Sequence, residues 1–204
     1  MRIRNVKNAK ENVNKHPLVI EKLDKETFEN SNPIKIEVGM GKGTFITTLA
    51  KMHPDINFVG IEKYESVLIR ALEKVTLEDY PNLRFMRMDA TDITEYINIK
   101  IEAVYLNFSD PWPKTRHAKR RLTSKNFLDK YETLFNEKIE IFQKTDNKDF
   151  FAYSLESLSK CGYTLETVSL DLHKADIANI KTEYEIKFSS KGETINYLHA
   201  YKKI

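Results

Sequence analysis

The sequence predicts an α/β fold, a doubly wound sheet that is mostly parallel and contains seven strands. Short apolar strands alternate with helices along the chain, and a glycine-rich turn joins the first strand to the next helix. Each of the first five strands also ends beside a polar or glycine cluster. Ligands of such sheets bind outside the carboxyl ends of the strands, so these clusters are the candidate functional positions.

The first half of the chain is predicted to contain three strands and two helices. Residues 1–33 are polar and irregular, which indicates a basic N-terminal arm with a short helix around 18–28. Strands follow at 34–38, 57–62 and 83–88. Residues recur at helical spacing between them, namely Phe45, Ile46, Leu49, Ala50 and His53, and then Val67, Leu68, Ala71, Leu72 and Val75.

The second half is predicted to contain four more strands. An apolar run at 102–108 is the fourth strand, and Thr123 or Ser124 begins a helix with a clear apolar face. A fifth strand at 139–142 precedes a helix from about 148 that ends at Gly162, because glycine suits the position after a helix. Two further strands, near 163–170 and 195–203, are expected to form an antiparallel end of the sheet.

Composition narrows the class of protein. The chain has 204 residues, of which 41% are hydrophobic and 31% charged, and its net charge is +3; these values are ordinary for a globular domain. Cys161, the single cysteine, excludes an intramolecular disulfide, and we expect a cytoplasmic protein. No apolar run approaches the roughly 20 residues of a membrane span. His117 and His173 lack a second ligand at metal spacing, so no metal is predicted.

The glycine-rich turn that follows the first strand is a candidate ligand site. Gly39, Gly41 and Gly43 allow the backbone to turn tightly and to approach a ligand. Glu62 ends the second strand, where its carboxylate can accept hydrogen bonds from both hydroxyls of a ribose. These features are shared with dinucleotide sites, and they do not by themselves identify the ligand.

Three further carboxylates distinguish the site from a dinucleotide site. Glu37 lies just before the glycines, where it would repel a pyrophosphate but favour an amine and a sulfonium. Asp89 ends the third strand, a position suited to accepting from an adenine amino group, and Asp110 follows the fourth. Together with Glu62 they predict a pocket for S-adenosylmethionine, whereas NAD would fit poorly.

Residues 107–121 indicate chemistry on a nucleic acid. The fourth strand leads Asp110 into a turn that Pro111 and Pro113 stiffen around Trp112, the only tryptophan of the chain. Five cations follow within eight residues, with no acidic residue among them: Lys114, Arg116, Lys119, Arg120 and Arg121. A carboxylate and an aromatic ring can hold a small ligand while such cations bind a polyanion.

These motifs resemble those of the bacterial tRNA (guanine-N7)-methyltransferases over nearly the whole chain. The most specific segments are Asp110-Pro-Trp-Pro-Lys114 and Thr182-Glu-Tyr-Glu185. Others that contribute are 36–43, Gly60-Ile-Glu62, 105–109, 116–121 and 144–147. The N-terminal arm departs from the pattern, because Val6-Lys-Asn8 stands where relatives commonly have Lys-Pro-Trp.

The resemblance implies a class I methyltransferase fold, with 34–204 as a single Rossmann-like methyltransferase domain. It also implies a reaction that uses S-adenosylmethionine, releases S-adenosylhomocysteine and forms 7-methylguanosine in the tRNA variable loop, in a monomer or homodimer. The implied donor site includes Glu37, Glu62, Asp89 and Asp110. Substrate contacts are implied for Lys114, Asp146, Thr182, Glu183, Tyr184 and Glu185, and RNA contacts for Arg116, His117, Lys119, Arg120 and Arg121.

The expected mechanism requires no proton abstraction, since guanine N7 is an exposed lone pair. Asp110 is the first candidate for stabilising the positive charge that develops on the purine, and Asp146 is the second. Asp146 or Glu185 could instead recognise the base edge. Trp112 either stacks on the target base or packs as a rigid wall, and Tyr184 is the alternative stacking residue.

Three other functions remain open from the residues alone. A different acceptor is conceivable, because Asp-Pro-Trp-Pro stands where amino-directed methyltransferases have Asn/Asp-Pro-Pro-aromatic; the basic block and Thr-Glu-Tyr-Glu oppose it. A non-catalytic RNA-binding module is opposed by the complete set of carboxylates. Nicotinamide-dependent oxidoreduction is opposed by the charge of Glu37.

Overall fold

The computed structural model describes residues 8–204 and contains the seven-stranded, mostly parallel sheet that the sequence predicted. Its strands are β1 (Ile34–Val38), β2 (Asn57–Glu62), β3 (Leu83–Arg87), β4 (Ala103–Asn107), β5 (Lys138–Thr145), β6 (Thr164–Ser169) and β7 (Asn196–Lys203). Its α-helices are α1 (Ala9–Lys15), α2 (Thr44–Met52), α3 (Glu65–Leu72), α4 (Ile93–Tyr96), α5 (Lys125–Glu132), α6 (Lys148–Lys160) and α7 (Glu183–Ser189). Short 3-10 helices occupy Ala90–Asp92, Thr115–Arg120 and Leu172–Lys174.

The chain divides into two compact units, of which the first ends at Ile99. Its strands are ordered β3-β2-β1 and are all parallel, with Ile36 opposite Val59 and Gly60 opposite Phe85. The central strand β2 is buried at every position, as expected of a parallel strand with neighbours on both sides. The carboxyl ends of the three strands therefore lie at one edge of this unit.

The predicted helix around 18–28 is wrong. The described part of the N-terminal segment forms α1 instead, and residues 18–28 contain no helix: Val19 bridges to Phe85 of β3, and Leu23 bridges to Ile97. Leu18 accepts a hydrogen bond from the Phe85 N–H at 2.8 Å, and both Leu18 and Leu23 are fully buried. These tertiary pairings satisfy backbone groups that a helix would have satisfied within the segment. Residues 1–7 of the predicted arm lie outside the described residues, and the arm boundary at 33 stays a prediction.

The second unit comprises Lys100–Ile204. Here β4 pairs with β5 in parallel, whereas β5 and β6 both pair with β7 antiparallel, which confirms the predicted antiparallel end of the sheet. The Asn147 side chain caps α6 by accepting from the Phe150 N–H at 2.8 Å. Gly162 follows α6 with a positive φ of 82°, as the sequence predicted. No helix within residues 8–204 is long and apolar enough to cross a membrane.

Candidate functional site

The glycine-rich loop between β1 and α2 forms an open cradle in the first unit. Gly39, Gly41 and Gly43 all have positive φ, at 77°, 61° and 75°. The N–H groups of Gly39 and Met40 donate to the Ile61 carbonyl at 2.9 and 3.0 Å, which fastens the loop to the end of β2. A Cβ added at Gly39 or Gly41 would meet nothing within 4 Å, so a ligand can approach this backbone closely.

Gly60 supports the loop, a role that the sequence did not predict. A Cβ at this position of β2 would lie 2.3 Å from Met40 Sδ and 3.1 Å from Phe85 Cδ1. Met40 is buried, and its side chain occupies the space that Gly60 leaves. A glycine within a predicted strand is the signal that could have identified this close approach.

Two buried carboxylates lie beside the cradle. Glu37, in β1, is 1% exposed and Glu62, at the end of β2, is 8% exposed. Glu62 Oε2 accepts from the Gly41 N–H at 3.1 Å, and its Oε1 accepts from the Tyr64 N–H at 3.0 Å. Each carboxylate oxygen has a second lone pair, so Glu62 can hold the loop and still accept from a ligand hydroxyl.

Asp89 follows β3 and is held in its ionised form. Its Oδ1 accepts from the N–H and hydroxyl of Thr91 at 3.0 and 2.9 Å, and its Oδ2 accepts from Lys63 Nζ at 2.5 Å. Burial by itself would raise the pKa of Asp89, but the hydrogen bonds from Lys63 and Thr91 outweigh it and lower the pKa to about 2. The predicted donor-site residues of the first unit thus lie at the ends of three neighbouring strands.

The turn after β4 presents Asp110 in the second unit. Phe108 and Trp112, on either side of Asp110, have φ values of 53° and 42°, which non-glycine residues seldom adopt. The Phe108 N–H donates to the Lys144 carbonyl at 2.8 Å and so continues the β4–β5 ladder into the turn. Asp110 is exposed, unlike Glu37 and Glu62.

The predicted cationic segment forms the 3-10 helix Thr115–Arg120. Lys114, Arg116 and Lys119 are exposed, and Arg120 is exposed but lies over the Trp112 ring at 4.9 Å. His117 meets the edge of the same ring, with 5.7 Å between ring centroids. Arg121 differs, since it is half-buried and donates to the carbonyls of Pro111 and Trp112.

A buried polar cluster joins β5 to the beginning of α7. Lys144 Nζ donates to Glu185 Oε2 at 2.8 Å, to the Ile180 carbonyl at 2.8 Å and to Asn179 Oδ1 at 3.1 Å. Glu185 Oε1 is in turn bonded to His173 Nε2 at 2.7 Å and to Asn179 Nδ2 at 2.5 Å. Burial by itself would raise the pKa of Glu185, but Lys144 outweighs it and lowers that pKa.

Thr182 and Glu185 form a capping box at the start of α7. The Thr182 hydroxyl accepts from the Glu185 N–H at 3.0 Å, and the Thr182 N–H donates back to Glu185 Oε2 at 3.4 Å. Glu185 is 0% exposed, so it is placed to support the predicted substrate segment from inside. The pattern Thr-x-x-Glu is itself the sequence signal of a capping box.

Asp146 and Tyr184 are brought together by α7. The Tyr184 hydroxyl donates to Asp146 Oδ2 at 3.1 Å, and burial together with this carboxylate raises the pKa of Tyr184 to about 12. The Tyr184 ring contacts Phe108 at 4.8 Å and stacks on Phe188 at 4.1 Å between centroids. Glu183 begins the same helix and is half-buried. Within residues 8–204, no group of three or more histidine, cysteine or acidic side chains is arranged to hold a metal.

Solved structures support the fold. The chain superimposes on a 16S rRNA methyltransferase, KamB, with a TM-score of 0.63 and 13% identity, over 90% of this chain and 95% of that one. It superimposes on Aeropyrum pernix fibrillarin, solved with bound S-adenosyl-L-methionine, with a TM-score of 0.56 and 13% identity, over 84% of this chain and 67% of that one. At these identities the likeness shows a class I methyltransferase fold.

Sequence comparison shows the family. Residues 31–198 match the family model Methyltransf_4, described as "Putative methyltransferase". A protein of Streptococcus gordonii named tRNA (guanine-N(7)-)-methyltransferase is 49% identical, over 98% of this chain and 99% of its own length. A protein of the same name from Lachnoclostridium phytofermentans is 45% identical, over 100% and 99%. This chain therefore belongs to the tRNA (guanine-N7-)-methyltransferase family.

Proposed function

We propose that this chain transfers the methyl group of S-adenosylmethionine to N7 of a guanine in the tRNA variable loop, in the cytoplasm. The observation that carries the proposal is the identity of 45–49% over nearly the full length of relatives named for this reaction. The cradle, the strand-end carboxylates and the exposed Asp110 supply chemistry that suits it.

The first unit fits the methyl donor. Because Gly39 and Gly41 have no side chains, the space over the loop is open, and this suits a ligand that packs directly on the backbone. The buried carboxylates of Glu37 and Glu62 favour a ligand with positive charge and ribose hydroxyls. Asp89 remains ionised well into acid and is an acceptor only, which suits the amino group of adenine.

In this reaction the protein aligns the methyl donor with guanine N7 and stabilises the positive charge that develops on the purine. When bound, S-adenosylmethionine would supply an electrophilic methyl carbon to guanine N7, and the electron pair of the broken carbon–sulfur bond would remain on sulfur. No proton moves, and positive charge arrives on the purine ring. We assign Asp110 to orient the base and to stabilise this charge, because it is an exposed carboxylate on a constrained turn.

We assign substrate binding to other side chains of the second unit. The exposed Lys114, Arg116 and Lys119 suit contacts with phosphates, which fix the position of an RNA without specifying its sequence. Asp146 is oriented by the Tyr184 hydroxyl and retains lone pairs that can accept from the guanine N1–H and amino group.

The test is methyl transfer from labelled S-adenosylmethionine to unmodified total tRNA, followed by nucleoside analysis. Wild type and Asp55→Asn, which changes an exposed carboxylate of the loop before β2, should form 7-methylguanosine. Asp110→Asn should lower kcat by roughly 100-fold, the usual loss when one charge-stabilising group is removed. Another methylated nucleoside would overturn the acceptor assignment, and donor binding without any transfer would contradict the proposed reaction.

A further inference from the structure

We propose that Arg121 is a positioning residue, which fixes the turn bearing Asp110 and Trp112 instead of binding an RNA phosphate. Its expected effect on rate rests on the proposed function. Its structural effect on the turn does not.

The guanidinium of Arg121 holds two successive backbone carbonyls. Arg121 Nε donates to the Pro111 carbonyl at 2.9 Å, and Nη2 donates to the Trp112 carbonyl at 3.1 Å. The planar fork of arginine suits this paired geometry, whereas the ammonium of lysine is a point charge on a flexible stem. The 3-10 helix Thr115–Arg120 thus folds the chain back, so that Arg121 closes the loop that begins at Pro111.

The same guanidinium is anchored on α6. Its central carbon lies 4.2 Å from the centroid of the Tyr153 ring, a cation–π contact that fixes the plane of the fork. Arg121 is half-buried, whereas Arg116 and Lys119 of the same segment are exposed. Arg121 therefore links the turn to a helix, and the exposed neighbours remain available for phosphates.

The turn requires such support because its backbone is unusual. Trp112 has a φ of 42°, and a non-glycine residue keeps such a value only where its surroundings over-determine it. Pro111 and Pro113 flank it and have no N–H, so they cannot donate backbone hydrogen bonds that would hold the turn. The two bonds from Arg121 supply the missing restraint.

Asp110 lies directly before the restrained carbonyls. A change at Arg121 should therefore move the catalytic carboxylate and the Trp112 ring together. An error of about 1 Å in such a group can lower a rate by about 100-fold.

Steady-state kinetics separate positioning from RNA contact. We expect Arg121→Lys, which retains the charge but not the fork, to lower kcat by roughly 10- to 100-fold. The salt dependence of its tRNA affinity should match that of wild type. Arg116→Ala, an exposed cation of the same segment, should instead reduce the slope of log K against log salt by about 0.7 to 0.9. Wild-type kcat in Arg121→Lys, with a reduced slope in Arg121→Ala, would show that Arg121 is an RNA contact.

Trp112 fluorescence tests the positioning without reference to activity, because this is the only tryptophan of the chain. Arg121→Ala and Arg121→Lys should shift its emission and increase its quenching by acrylamide, in proteins whose circular dichroism shows them folded. Arg116→Ala should change neither property. If both Arg121 variants retained wild-type emission and quenching, the proposal would be refuted, whether or not the chain methylates tRNA.

Discussion

Single residues show how the second unit accommodates a buried charge. Lys144 is 4% exposed and Glu185 is 0% exposed, and every donor of the Lys144 ammonium has an acceptor. Such a pair contributes little to stability compared with an apolar pair of the same shape. Removing one partner, however, destabilises the protein strongly, because the other charge then remains buried without a partner. The cluster therefore fixes α7 on β5 and, through α7, the contact of Tyr184 with Asp146.

Breaking this pair should destabilise the protein. Lys144→Met leaves the Glu185 carboxylate buried without its ammonium partner, and we expect the free energy of unfolding to fall by about 3–5 kcal/mol. The double variant Lys144→Met/Glu185→Gln removes both charges and should recover part of this loss. Urea unfolding measures all three proteins. A loss below about 1 kcal/mol, the size of a surface pair, would contradict the argument.

Asp89 predicts a pH dependence of stability. Its pKa is lowered from 3.8 to about 2, so the folded protein favours its ionised form. The stabilisation is complete above about pH 3.8 and is lost as the pH falls through about 2, because the Asp89 carboxyl is then protonated in both the folded and the unfolded protein.

The difference in unfolding free energy between wild type and Asp89→Asn should thus shrink from neutral pH towards about pH 2, as urea titrations would show. Lys63→Met removes the ammonium that bonds to Asp89 Oδ2, and it should make the difference smaller and less dependent on pH. A difference that stayed constant over the whole range would be evidence against an ionised, hydrogen-bonded Asp89.

At the scale of elements, the cradle depends on how β2 and the glycine loop pack together. The loop bonds to the Ile61 carbonyl from above, and the Met40 side chain fills the space over Gly60. Gly60 therefore supports the loop from β2, where a Cβ would displace Met40.

Gly60→Ala should reduce the free energy of unfolding by about 1–3 kcal/mol, since it inserts a methyl group into filled space. It should also weaken donor binding, because Met40 must move and carry the loop with it. Adding Met40→Ala removes the contact at 2.3 Å but leaves that with Phe85 at 3.1 Å, so the double variant should recover part of the stability. Calorimetry of unfolding and of S-adenosylmethionine binding gives both quantities. Unchanged donor affinity in Gly60→Ala would contradict a link between the loop and β2.

Elements also show where sequence patterns succeed and where they do not. All seven strands could be predicted, because apolar runs bounded by turn residues are a local signal. The helix predicted at 18–28 was wrong, since the structure of this segment depends on bridges to Phe85 and Ile97, far along the chain. The spacing of Thr182 and Glu185 is that of a capping box, which the structure contains at the start of α7. The resemblance had implied substrate contacts for both residues instead.

For the molecule as a whole, the distribution of charge matters more than its sum. The net charge is only +3, yet Lys114, Arg116 and Lys119 are all exposed within six residues. Phosphate contacts release counterions, so affinity for RNA should depend on the local cations and not on the total.

Replacing these three cations together by alanine should reduce the salt slope of tRNA binding by about 0.7 to 0.9 for each lost contact. The matched control replaces three lysines that are paired with acidic neighbours: Lys125, Lys138 and Lys160. It changes the net charge equally and should leave the slope unchanged. Filter binding of tRNA across a series of salt concentrations measures both, and equal effects would indicate nonspecific attraction by total charge.

The amino-acid order alone accounts for the strands, for the glycines with positive φ and for the carboxylates near the carboxyl ends of the strands of the first unit. These features arise from periodicity and backbone sterics within a few residues. The partners of Arg121 and Lys144 became visible only in the tertiary structure. Glu185 lies 41 residues from Lys144, and the Pro111 carbonyl lies 10 residues from Arg121. Whether a charged side chain faces solvent or supports a turn depends on which groups folding brings beside it, because burial requires every charge to be paired.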